Sequence, residues 1–253
     1  MAVTFFVTKR MTKKYHMKKI FIFLFTILTI SSFAQQTIIN DKNAEERNVA
    51  GFNAIKISGA IEVYLSQGNK EEVAVSASGE KFRDDIKTEV INGTLRIFYD
   101  GNHISWNKNK MKLKAYVSVK NLNALESSGA SEFKITGILN LETLALKLSG
   151  ASQLSGTVKI TNLRIELSGA SDVKINGSVQ NLNIDASGAS DVKSYGLIAE
   201  ACSIKASGAS DISITVNKEI TATASGASSV NYKGSAILKE VHSSGASNVS
   251  KKG

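Results

Sequence analysis

The chain has no proline among its 253 residues. Proline removes a backbone donor and is confined in sheets to edges and bulges, so its absence suits a long, unbroken hydrogen-bond ladder. There is one cysteine, Cys202. That excludes a disulfide framework and leaves no Cys-based metal centre. Tryptophan occurs once and histidine three times, with no Cys–His or His-rich ligand spacing. Past residue 30 no long hydrophobic run occurs, so the rest of the chain holds no candidate membrane-spanning helix, which needs about 20 apolar residues. The hexapeptide period that marks left-handed solenoids is also missing.

What is present in quantity is a repeat. Ser-Gly-Ala begins at Ser58, Ser128, Ser149, Ser168, Ser187, Ser207, Ser225 and Ser244, and from Ser128 the steps are 21, 19, 19, 20, 18 and 19 residues. A period of this size marks one supersecondary unit stacked many times. Within a unit, Leu163, Ile165 and Leu167 alternate with Arg164 and Glu166, the signature of a strand with one apolar face. Ser168-Gly169-Ala170 supplies a tight turn. Val173 and Ile175 then alternate with Asp172 and Lys174 in a second short strand, Asn176-Gly177 signals another turn, and Val179 begins a third short segment.

Aligning the units gives columns. Three residues before each triplet serine stand Leu125, Leu146, Ile165, Ile184, Ile204, Ala222 and Val241. Beyond the corner stand Phe133, Leu154, Val173, Val192, Ile212, Val230 and Val249. Columns that stay apolar at fixed phase are expected when similar coils lie one above the next and bury a continuous core. A hairpin meander is the rival arrangement, but it accounts less well for a glycine corner that recurs once per period. The expected fold is all-β: a right-handed parallel β-helix (β-solenoid) of about 19–20 residues per coil, the hand following the crossover rule.

The chain opens with Lys9, Arg10, Lys13, Lys14, Lys18 and Lys19, followed by an apolar run from Ile20 to Ile30 and Ser31-Ser32-Phe33-Ala34. That is the layout of a signal peptide cleaved after Ala34. Met17 begins a signal of more ordinary length, consistent with residues 1–16 being an over-extended gene start. The expected domains are a signal peptide over 1–34 and a single β-helix over 35–253, irregular over 35–125 and regular over 126–253. The formal charge of +9 drops to +3 once residues 1–34 are removed. This is no nucleic-acid footprint. At roughly 20 residues per coil the mature length allows about 11 coils, a rod on the order of 50 Å. Residues 40–53 suit a cap over the first coil, 82–89 a short helical excursion and 99–112 an exposed loop. The alternating Met111, Leu113, Ala115, Val117 and Val119 re-enter the sheet.

The recurrent Ser-Gly-Ala-Ser-Asp/Glu-Val/Phe with its Leu-x-Ile-x-Ala/Leu strand resembles the head GIN domain family of auto-transporter adhesins. Phe52-x-x-Ile55-x-Ile57-Ser58-Gly59 and Ile91-Asn92-Gly93-Thr94-Leu95-x-Ile97 match its N-terminal pattern. The likeness covers roughly residues 48 to 250. It implies a β-helical envelope or secreted protein, and the family carries no established catalytic residues to transfer.

Candidate sites are few. Asp172, Asp191 and Asp211 share a column, and carboxylates stacked about 4.8 Å apart can bind Ca²⁺. They also fit a solvated corner ladder neutralised by lysines two residues on, the preferred reading without the Gly-rich nonapeptide of calcium β-rolls. Ser131, Ser152, Ser171, Ser190, Ser210 and Ser228 form a column suited to an internal hydroxyl ladder, with no base recurring beside them to make a nucleophile. Cys202 sits in a column with Leu144, Leu163, Leu182 and Ile220 and is expected as a buried core thiol. The candidate ligand-binding residues are Tyr99, Asp100, His103 and Trp106, where an aromatic platform beside amides and a carboxylate suits sugar; a long turn with its tryptophan packed on the solenoid flank is the structural alternative. No catalytic residue, metal site or cofactor is expected.

The expected function is an exported, non-enzymatic β-helix acting as a cell-envelope interaction or structural module, an adhesin. Its partner would be a cell-surface glycan or protein, not nucleic acid, and its place the periplasm, the outer-membrane surface or the medium. The alternative is a polysaccharide-active lyase or hydrolase. Coils of 18–21 residues leave no spare length for the groove walls such an enzyme builds, except within residues 66–115.

Overall fold

The structure, a computed structural model, describes residues 41–101 and 111–253. The signal-peptide expectation, His103 and Trp106 lie outside them. The described chain is a β-solenoid of about seven turns.

Residues 41–101 and 111–123 build one end of it. In chain order they form β1 (Glu45–Arg47), β2 (Ala54–Gly59), β3 (Glu62–Gln67), β4 (Glu72–Ser76), α1 (Glu80–Asp84), β5 (Ile86–Ile91), β6 (Thr94–Tyr99) and β7 (Lys114–Val119). The stacking order is not the chain order. β2 pairs in parallel with β6 on one side and, on the other, with β8 (Ala124–Gly129). β3 lies likewise between β7 and the start of β9 (Glu132–Leu148). The turn made by residues 54–67 is therefore sandwiched between two later turns. β4 runs antiparallel to β7, β1 antiparallel to β4, and β5 antiparallel to β6. These reversed strands cap the end, and the short helix α1 falls where a helical excursion is expected. Residues spent on these reversed strands do not make coils, and the arithmetic of about 11 coils overshoots.

From β9 onward the stack is regular. β9, β10 (Gln153–Leu167), β11 (Asp172–Ala186), β12 (Asp191–Ala206) and β13 (Asp211–Ala224) lie side by side, all parallel. Each turn is one long bent strand rather than separate short ones. In β10 the inward phase runs Leu154, then Val158 and Ile160, then Leu163, Ile165 and Leu167. The alternation resets where the strand bends. β14 (Ser229–Lys233), β15 (Ile237–Ser243) and β16 (Asn248–Lys251) complete the stack, β15 on β13 and β16 on β14.

The aligned columns are the core. Leu125, Leu146, Ile165 and Ile184 are buried neighbours in register, and Phe133, Leu154, Val173, Val192, Ile212 and Val230 are each at most 1% exposed. Cys202 lies between Leu182 and Ile220 and is buried. Val241, in the last turn, is 37% exposed.

The corner explains the triplet. Gly169 has φ +75°, a conformation L side chains rarely adopt, and a Cβ there would stand 2.5 Å from the Gly150 carbonyl oxygen. The space is occupied by the preceding turn's corner, whose Gly150 carbonyl accepts from the Ala170 amide at 2.7 Å. The serine column is buried, as a hydroxyl ladder requires, but it is not one. Ser171 Oγ donates to Ser168 O at 3.0 Å, and Ser190, Ser210 and Ser228 each donate to the triplet serine three residues back at 2.8 Å. From Ser152 to Ser228 each serine thus bonds a carbonyl left over by its own tight turn, while Ser131 donates to Gly59 O of the neighbouring turn at 3.0 Å.

Candidate functional site

Tyr99 ends β6, half-buried, and its hydroxyl donates to Asp85 Oδ2 at 3.3 Å. Burial, with Asp85 alongside, pushes the phenol above its ordinary range. Asp100 is exposed, its amide donating to Asp85 O at 2.9 Å. Around Tyr99 the fold gathers Phe98, Arg96, Lys56 and Ser58 into a pocket of about 320 Å³. The Arg96 guanidinium lies 6.0 Å from the Phe98 ring centre. Its charge is met by Glu89 at 3.0 Å, and Lys56 is met by Glu126 at 3.0 Å, so the pocket offers no free cation for an anion.

A larger concavity of about 610 Å³ runs along the regular turns. Its rungs come from two outward columns, six and four residues before each triplet serine. The first holds Thr143, Asn162, Asn181, Ala201 and Glu219, side by side in register. The second holds Ala145, Arg164, Asn183, Ser203 and Thr221. Between them Leu144, Leu163, Leu182 and Cys202 point inward and form the floor. Burial pushes the Cys202 thiol up to about 12, so it is no nucleophile. The Asn181 amide donates to Asn162 Oδ1 at 2.8 Å, linking two rungs, and Arg164 Nε donates to Glu166 Oε1 at 2.6 Å. These asparagines were legible as a column of outward polar residues; reading only the apolar and corner columns passes over them.

The outer face of the cap carries a second cluster missed in the sequence. Tyr64 and Tyr116 stack with ring centres 5.2 Å apart, and Lys114 and Lys134 lie 6.0 and 5.7 Å from the Tyr64 ring. Tyr64 Oη donates to Glu62 at 2.8 Å and Tyr116 Oη to Asp41 at 2.8 Å. Burial pushes Glu62 up, but hydrogen bonds from Lys134 and Tyr64 outweigh it and hold the carboxyl below its ordinary 4.5. Lys134 is raised, chiefly by its hydrogen bond to Glu62. Every charge here has a partner, which makes the cluster a lateral tie between turns.

Asp172, Asp191 and Asp211 do stand in register, with Lys193 hydrogen-bonded to Asp191 and raised by it. Asn231 donates to Asp211 at 3.3 Å. Among the described residues no group of three or more His, Cys, Asp or Glu is placed to hold a metal. His242, the one histidine among them, pairs with Glu240 on exposed β15.

Residues 51–236 match the family described as putative auto-transporter adhesin, head GIN domain. The chain belongs to this family. No curated protein matches the chain. Among solved structures, this GIN-domain chain is similar to a putative adhesin from Bacteroides fragilis NCTC 9343, with 21% identity, a TM-score of 0.75 and coverage of 83% of this chain and 96% of that one. A putative adhesin from Parabacteroides merdae ATCC 43184 gives 17% identity, a TM-score of 0.66 and coverage of 83% and 95%. A putative lipid binding protein from Parabacteroides distasonis ATCC 8503 gives 18%, 0.64, and coverage of 84% and 98%. At these identities the likeness is one of fold. GIN-domain membership fits the corner motif, which spans the matched region.

Proposed function

We propose that this protein is exported and acts at the cell envelope as a non-enzymatic binding module, an adhesin in the sense of its family. The observation that carries the reading is the long concavity: rungs of outward amides and hydroxyls repeated over five turns of a rigid parallel sheet. A surface fixed by backbone ladders loses little freedom on binding, which favours recognition through many weak contacts. Family membership and the signal-like pattern of residues 1–34 support the same reading. The coils there are 18–21 residues long and carry no inserted loops to wall off a catalytic cleft, which weighs against a polysaccharide-active enzyme.

The test has two arms. Cell fractionation with protease shaving is expected to find the protein in the envelope fraction. The purified protein is expected to bind whole cells saturably, without releasing reducing ends or unsaturated products from polysaccharides. Retention in the cytoplasm, or turnover of a polymer, overturns the proposal.

A further inference from the structure

We infer that the concavity over residues 143–221 binds a linear, neutral oligosaccharide lying along the solenoid axis. This rests on the reading of the protein as a surface-interaction module and names the ligand class.

The first ground is chemistry. Most polar groups lining the trough are uncharged: Thr143, Asn162, Asn181, Asn183, Ser203 and Thr221. Amide and hydroxyl groups both donate and accept, as do sugar hydroxyls. Arg164 is already engaged by Glu166 at 2.6 Å, and the two other charges, Glu219 and Lys239, are of opposite sign. The charges of the lining thus offset one another and do not select a charged ligand. Ala145 and Ala201 put no bulk on the outward columns and leave room for the C–H faces of pyranose rings.

The second ground is spacing. Adjacent rungs belong to adjacent parallel strands and repeat about every 4.8 Å, so five rungs run about 19 Å. A pyranose unit in an extended chain is of comparable length to the rung repeat of about 4.8 Å, so roughly four units would span the five rungs. An extended peptide advances about 3.3 Å per residue and drifts out of step. It also has no edge to join: β10, β11 and β12 are paired on both sides, so no ladder is open to strand addition. An acyl chain would cover the asparagine amides without bonding them, which is costly.

The experiment titrates the full chain with linear neutral hexasaccharides (β-1,4-linked glucose and β-1,4-linked mannose), a polyuronate hexamer, an extended peptide and palmitate, by calorimetry and saturation-transfer NMR. At least one neutral hexasaccharide is expected to bind, and its trimer more weakly. Combined Asn181→Leu and Asn183→Leu, at exposed positions, should weaken binding about tenfold or more through lost hydrogen bonds. Lys174→Ala, on an outward column that does not line the trough, should leave binding unchanged. Asn162→Leu provides an independent variant if the first pair lowers the melting temperature. Sugar binding insensitive to all three asparagine changes overturns the site. Preference for the polyuronate, the peptide or palmitate overturns the ligand class. Saturable cell binding with no oligosaccharide bound overturns this inference and leaves the surface role standing, whereas absence of both removes the two together.

Discussion

The same corner motif occurs in the regular stack and at the capped end with different consequences. At Gly169, deep in the regular stack, an added Cβ meets the carbonyl of the glycine below at 2.5 Å. At Gly59 the φ of +109° is also positive, yet nothing lies within 4 Å of such a Cβ. The strand beneath β2 is β6, which places Phe98 against Ser58 and carries no triplet. One glycine is demanded by its backbone angle and by its neighbour, the other by the angle alone. The motif marks a corner; what is stacked beneath decides how strictly the corner is enforced. The two regions differ in strand direction as well. The regular turns stack only in parallel, whereas the end mixes parallel pairs, β2 on β6 and β3 on β7, with the antiparallel pairings of β1, β4 and β5 that close it.

The comparison breaks most sharply at Phe133, where the regions join. It is fully buried, flanked by Val63 of the inserted turn and Leu154 of the first regular one. Phe133→Ala leaves a cavity that neither side can collapse to fill and is expected to cost about 3–5 kcal/mol. Denaturant unfolding should read it. If the two regions unfold independently, the variant would show two transitions in place of one.

The glycine contrast comes next. Gly169→Ala combines left-handed strain with overpacking against backbone and should cost about 2–5 kcal/mol. Gly59→Ala carries only the strain, about 1–2 kcal/mol. Equal losses from the two variants, measured by thermal melting, would show that stacking adds nothing to the glycine requirement. Ser171→Ala probes the corner more gently. It removes a buried hydroxyl and leaves the Ser168 carbonyl without that donor, at about 1 kcal/mol.

Much of the regular region was legible because its constraint is local and repeated. Leu146, Ile165 and Ile184 face inward in every turn, so alignment alone places them in one column, and Cys202 follows from its Leu and Ile neighbours. The cap was not legible, because nothing in β2 says that β6, some 40 residues later, will lie beneath it. Ala54–Gly59 reads equally well as the first coil of a sequential stack. The serines misled for a different reason: a column repeated every turn shows that a group is buried, but not whether its hydrogen bond runs along the stack or back into its own turn. Of the candidate site, Tyr99 and Asp100 were found at a strand end beside a small pocket, while the asparagine rungs needed the outward columns to be weighed as carefully as the inward ones.

The finest contrast is in pH response. The cap holds Glu62 below its ordinary 4.5, and Asp41 likewise below 3.8, burial in each case opposed and outweighed by hydrogen bonds, from Lys134 and Tyr64 to Glu62 and from Asn43 and Tyr116 to Asp41. A carboxyl whose folded value is depressed stabilises the fold fully above its unfolded value, and that contribution is lost as pH falls through the folded one. The melting temperature should therefore fall as pH drops below about 4.5, and Glu62→Gln should flatten that decline while costing at most about 1 kcal/mol at neutral pH, as expected for a half-exposed ion pair. Ser171→Ala, which removes no charge, should shift the curve down at every pH without changing its slope. If Glu62→Gln instead leaves the acid slope intact, the tie between turns at Tyr64 and Lys134 is held by packing alone, and the cap would owe its stability to the same apolar columns as the repeats.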